Sequence, residues 1–397
     1  MERRSLPGGR GMLLVFIAVV IFLGVVRPVS GEELPSPEDW SKQQVEALDT
    51  GRIQDYWERV AEDYDGFLPE TNPDFKAFLR SDKQGFFQKL LEGMADYFFH
   101  ELIVGSELLA SLIVLSIFST LLQTIQSAFE VKTVSKVAGI MVTLVLLMLL
   151  LNSFRLAAEL TNETVGTMNH FLMALIPLIF SMTAATGGAA SVAFFHPLVI
   201  FLVNVSGWLV SIFVLPLLFM SALLAIVSTL SDHYKLTKLS RLMKNVALFT
   251  LASFFAVFLG VMSVQGAATS ISDGLLVKSA RFFTANFLPV IGRMFTEAAD
   301  TMIGASVLLK NTIGIAGLLI LFCITAFPLL KVLSFAFIYN LAAAVLQPLG
   351  KSPVVDCLVI MAKSMSYLFA ALALVSLMFF LALTMIIISG NLSLMVR

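Results

Sequence analysis

Arg293, Glu297 and Asp300 stand four and three residues apart in an otherwise apolar stretch, FLPVIGRMFTEAADTMIGAS (287–306). On a helix that spacing puts them on one side. Charges at membrane depth cost about 2.5–3.5 kcal/mol each unless paired or hydrated. The side they share could line a water-filled pathway, lie in the membrane interface with its charges in water, or contact another subunit. Arg293 and Glu297 also suit an ordinary i, i+4 pair. These are chemistries of contact, not of bond breaking. The sequence has no G-x-x-x-x-G-K-[ST], no H-E-x-x-H and no G-x-S-x-G. Asp300 has no second aspartate in an apolar segment to pair with for proteolysis. Cys323 and Cys357 are the two cysteines, too few for a zinc cluster or a disulfide framework. His196, before Pro197, reads as a loop residue. The expectation is a non-enzyme with no cofactor and no metal.

Hydrophobic residues make up 58% of the 397-residue chain and charged residues 13%. A soluble domain carries roughly 25% charge, so this is a polytopic all-α membrane protein. Arg3, Arg4 and Arg10 precede the apolar run GMLLVFIAVVIFLGVV (11–26), and Val29 and Gly31 suit cleavage before Glu32. Residues 1–31 therefore read as a signal peptide. Residues 32–99 read as an exported helical segment, with 16 acidic and 7 basic residues. That balance repels phosphates and excludes nucleic acid as a partner. Ile53, Tyr56, Trp57, Val60 and Tyr64 form one apolar stripe at helical spacing. Tyr56, Trp57 and Tyr64 are candidates for docking an exported partner, or for packing the segment on itself or on lipid. Asn72-Pro73 reads as a helix start, and Ser81 with Gln84 as a capping box that opens a helix running into the first span.

Residues 100–397 form the transmembrane domain. The uncharged run 197–231 would be about 52 Å long as one helix, beyond the ~30 Å of a bilayer core. It reads as two spans or one strongly kinked helix. Lys235, Lys238, Arg241 and Lys244 mark a cytoplasmic loop by the positive-inside rule. Six crossings with re-entrant segments satisfy the parity, and eight to ten is the favoured count. Lys310 and Lys331 read as boundary residues that snorkel to an interface.

An offset of 112 residues lays Pro177 on Pro289 and Pro216 on Pro328. It also lays Phe171 on Phe283 and Met182 on Met294. This predicts an internal parallel repeat, copies near 134–231 and 246–346, with the prolines as helix breaks. The first copy of the charged stretch, LIPLIFSMTAATGGAASVAF (175–194), is uncharged. Its Gly187 and Gly188 suit close helix contact.

The stretch ALDTGRIQDYWERVAEDYDGFLPE (47–70), strongest at Tyr56-Trp57 and GFLPE, resembles the start of the stage III sporulation protein AE family. The layout of the whole chain is similar to that family's. The resemblance implies a membrane subunit of a sporulation channel or transport complex, in the mother-cell membrane around the forespore. It implies other stage III sporulation A proteins and the stage II sporulation protein Q as partners, and a role in late forespore gene expression. It carries over no site residues. A self-contained permease for an ion or small solute, and a non-conducting scaffold, are the alternatives.

Overall fold

The computed structural model describes residues 51–69, 74–80, 85–128, 132–185, 189–230, 235–287, 291–349 and 353–395. The signal peptide, Asn72-Pro73, Ser81, Gln84, Gly187, Gly188 and Pro289 lie outside them. The described chain is helical: α1 (Gly51–Asp63), α2 (Phe75–Arg80), α3 (Phe86–Val104), α4 (Ser106–Ala128) and α5 (Lys132–Ala185). Then follow α6 (Ala189–Trp208), a π-helical turn (Leu209–Val214), α7 (Leu215–Leu230), α8 (Thr237–Phe287), α9 (Ile291–Leu346) and α10 (Pro353–Met395).

Six helical stretches among the described residues are long and apolar enough to cross a membrane. They are Phe86–Leu121, Leu144–Ala184, Pro197–Thr229, Thr237–Val264, Ser306–Leu346 and Pro353–Ile388. Six is the lower of the counts that the parity allows, and among the described residues the pieces separated at Pro177, Pro216 and Pro328 are continuous. Pro177 lies inside α5 and Pro328 inside α9, and neither ends its helix. Pro216 also sits within a continuous helical path. The turn before it is π-helical, and the Leu215 N–H bonds to the Val210 carbonyl, five residues back. That widening re-spaces the carbonyls a proline ring would otherwise strike. As expected, the α3 segment leads straight into the first span: α3 and α4, parted only at Gly105, make one apolar stretch, Phe86–Leu121.

The body is built around α9 and α10, the most extensively packed pair, with α5 against both. On α10, Leu358, Ala362, Met365, Leu368, Leu372 and Val375 recur at helical spacing and are all fully buried. Small residues bring the helices close. A side chain at Gly314 would press on Ile387, and one at Gly317 on Leu175. Between apolar helices in lipid such packing replaces the hydrophobic drive available in water. Several buried hydroxyls bond within their own helices. Thr161, Thr183 and Ser206 donate to carbonyls four residues back at 2.7, 2.8 and 2.6 Å.

The N-terminal helices fold onto each other before they meet the body. Ile53, Trp57 and Val60 are the buried face of α1, and the Trp57 ring stacks on Phe78 of α2 at 4.3 Å. The Phe75 N–H donates to the Gln54 side chain at 2.7 Å, fixing the start of α2. After α1 the chain reverses at Gly66, whose φ of 81° is left-handed. The Phe67 carbonyl then lies so close to Gly93 of α3 that a Cβ there would collide with backbone. Gly93→Ala should cost about 1–3 kcal/mol, read as a lower thermal midpoint and faster proteolysis near residue 67. An unchanged midpoint would show that Phe67 does not rest on α3.

Candidate functional site

The N-terminal helices meet the body through aromatic rings placed by helical spacing. Tyr56 and Tyr64 flank the buried face of α1. The Tyr56 ring meets Phe171 of α5 edge-on at 5.4 Å. The Tyr64 ring stacks on Phe327 of α9 at 4.0 Å, only 12° from parallel. Tyr97 of α3 closes the cluster, edge-on to Phe327 at 5.0 Å and to Tyr64 at 5.8 Å. Such ring pairs add about 0.5–1.5 kcal/mol each beyond their burial. One turn beyond Tyr97, Glu101 accepts the Lys331 ammonium at 3.1 Å. The Glu101 side chain is only 11% exposed, against 36% for Lys331. The pair thus ties α3 to α9 in a poorly solvated place.

Beside this junction lies a cavity of about 280 Å³. Arg59 and Asp63 of α1, Glu163, Thr164 and Thr167 of α5, and Ile324 and Pro328 of α9 line it. A second, also about 280 Å³, is lined by Arg52, Asp55, Arg59 and His170. Tyr56 and Arg59 wall both, and the Arg59 guanidinium sits 5.4 Å above the Tyr56 ring. Pro328 has no N–H to offer the Ile324 carbonyl, and both residues line the first cavity. Among the described residues no group of three His, Cys, Asp or Glu converges as a metal site would require. Desolvation, with the Asp63 charge second, pushes the Tyr64 phenol above its ordinary value of 10.0.

The residues singled out by spacing fall in different places. Trp57 is fully enclosed, and Tyr56 and Tyr64 rest on the chain's own α5 and α9. The stripe therefore packs on the body, with Tyr56 and Tyr64 half-buried and Trp57 left without free surface. The backbone of Arg293, Glu297 and Asp300 lies in α9, and their side chains are outside the described set. Gly187, Gly188 and Pro289 are outside it altogether. Lys331 is a bridge partner rather than a boundary marker. Lys310 does not snorkel: it is fully buried, and its ammonium has no hydrogen-bond partner among the described residues. Sequence reading missed Glu101, Glu163 and the Asn169–Asn204 contact at 3.2 Å between α5 and α6. The polar run 152–170 inside an apolar helix was the available signal.

Long apolar helices with charge-lined cavities between them define a polytopic α-helical membrane protein. The chain belongs to the stage III sporulation protein AE family, which it matches over residues 72–390, and so has a role in sporulation. It is 47% identical over 393 residues to the stage III sporulation protein AE of Bacillus subtilis (strain 168), covering 97% of this chain and 98% of that protein. No solved structure matches the chain.

Lys331→Gln should destabilise the junction by about 1–3 kcal/mol, between the exposed and buried limits for a broken pair. The charge swap Glu101→Lys with Lys331→Glu should recover much of it, read as the thermal midpoint. Tyr64 supplies a pH test. Its folded pKa is raised, so its stabilisation is complete below its ordinary value and falls as pH rises through and above it. Tyr64→Phe should abolish this alkaline loss while keeping the midpoint at neutral pH.

Proposed function

We propose that the protein is a membrane subunit of a multi-protein channel or transport apparatus linking mother cell and forespore, required for late forespore gene expression. It sits in the mother-cell membrane around the forespore, with residues 32–99 in the space between the membranes. Its partners are other stage III sporulation A proteins and the stage II sporulation protein Q. Family membership carries the reading. The absence of a phosphate-binding loop from the sequence fits a subunit whose energy comes from a partner.

The aromatic stripe of α1 is occupied, so the partner-facing surface is its opposite side. Glu58 and Glu62 are exposed there, four residues apart, and Asp65 is exposed in the turn that follows, so the three form an acidic ridge. Reversing all three to Lys should leave the thermal midpoint within about 0.5 kcal/mol of the parent. It should weaken co-purification of the partner proteins by more than roughly tenfold, as like charges across an interface cost several kcal/mol. Heat-resistant spore yield should fall with it. Normal capture and normal spore yield would refute docking through this ridge.

The permease and scaffold alternatives separate on different observations. A permease moves ions or small solutes when purified alone in liposomes, and a complex subunit is inert there. With Cys323 and Cys357 replaced by Ser, a single cysteine in place of Glu297 reports whether α9 lines a conduit. Labelling by an impermeant thiol reagent from the cytoplasmic side is the expected result. Labelling from the other side alone means an interface helix, and no labelling means burial in a scaffold.

A further inference from the structure

We propose that one end of the bundle carries a binding site for a phosphate group, built by Arg241 and Lys244 of α8 and Lys363 of α10. The phosphate is that of an anionic lipid headgroup or of a soluble compound. The site is a cavity of about 140 Å³ where α7, α8 and α10 meet. Those cations line it together with the hydroxyls of Ser221, Thr237, Ser240, Ser364 and Tyr367, and among the described residues no acidic side chain does.

The cavity is held by a rigid hairpin. Ser221 and Ser240, both buried, each donate a hydroxyl to the other's carbonyl at 2.8 Å. Ser228 and Thr237 pair at 2.9 Å, and the Leu236 N–H donates to Ser228 at 2.9 Å. These bonds fix where α8 begins, so its positive N-terminal end faces the same space. Ile360, Lys363, Ser364 and Tyr367 recur at three, one and three residues, placing one face of α10 opposite.

Lys244 is half-buried, and its ammonium rests 3.3 Å from the Tyr367 hydroxyl and 4.8 Å from that ring's centroid. No carboxylate pairs with Arg241, Lys244 or Lys363 among the described residues. The positive-inside rule accounts for basic residues between 235 and 244. It does not account for Lys363, which comes from a distant part of the chain and lines the same cavity with hydroxyl donors. Cations converging with hydroxyls and no acid suit a phosphate, whose oxygens accept from all of them.

The test uses the full-length protein purified in neutral detergent. Phosphatidylglycerol, phosphatidylcholine and inorganic phosphate are the probes, read by native mass spectrometry and by thermal shift. The parent should retain phosphatidylglycerol over phosphatidylcholine. The triple variant R241Q/K244Q/K363Q should bind it about a hundredfold more weakly, since each cation near an anionic surface counts for roughly tenfold or less. The variant K235Q/K238Q, which changes lysines outside the cavity, should bind like the parent. The charge-preserving K244R/K363R should keep binding and shows that loss in the triple variant is not misfolding. Competition by inorganic phosphate through the same residues would make the ligand a soluble phosphate. Lipid binding without competition would make it a headgroup. Binding of neither probe, or equal binding by the triple variant and the parent, would overturn the site.

Discussion

Phe327 is wholly buried, and much of what buries it comes from the other end of the chain. Tyr64 stacks on its face and Tyr97 meets its edge. Without those tyrosines, a large ring on the central helix α9 would lie open beside a proline that already lacks its backbone donor. The Glu101–Lys331 pair sits one turn further along and fixes the register of α3 against α9. The N-terminal helices are therefore part of the body's packing, not a tethered appendage. The charge-lined cavity with Arg59, Asp63 and Glu163 lies beside that ring cluster.

Helix continuity is the second constraint. Pro177 and Pro328 lie within single helices, and a π-helical turn carries the path into Pro216. Each proline removes a donor without ending the element. In lipid that is tolerated only where protein or a water-lined space covers the freed carbonyl. Ile324 and Pro328 both line the cavity beside α1. A rigid helix with one weakened turn, pinned by aromatic rings, is an element that a docked partner could bend.

The all-α class, the apolar segments and the buried face of α1 were legible because each rests on local periodicity. Ile53, Trp57 and Val60 show it at spacings of four and three. Pro177, Pro216 and Pro328 misled, since a helix runs on through a proline once neighbouring helices supply packing. Lys310 misled for a related reason. Its long stem suits snorkelling, but the helices around it enclose it fully. The Tyr64–Phe327 stack and the Arg241–Lys244–Lys363 cavity could not be read at all, because each joins residues from distant parts of the chain. The family resemblance supplied the biological setting, and neither periodicity nor charge could have done so.

The docking of α1 against α5 beside Pro328 is the claim on which the site depends. It is tested most directly by a distance in the intact protein in bilayers. Cys323 and Cys357 would be replaced by Ser, and spin labels placed at Asp63 and Thr167, which line the same cavity. Pulsed electron resonance should give one narrow, short distance. A broad distribution of long distances would contradict the account, for it would mean that the N-terminal helices move free of the body.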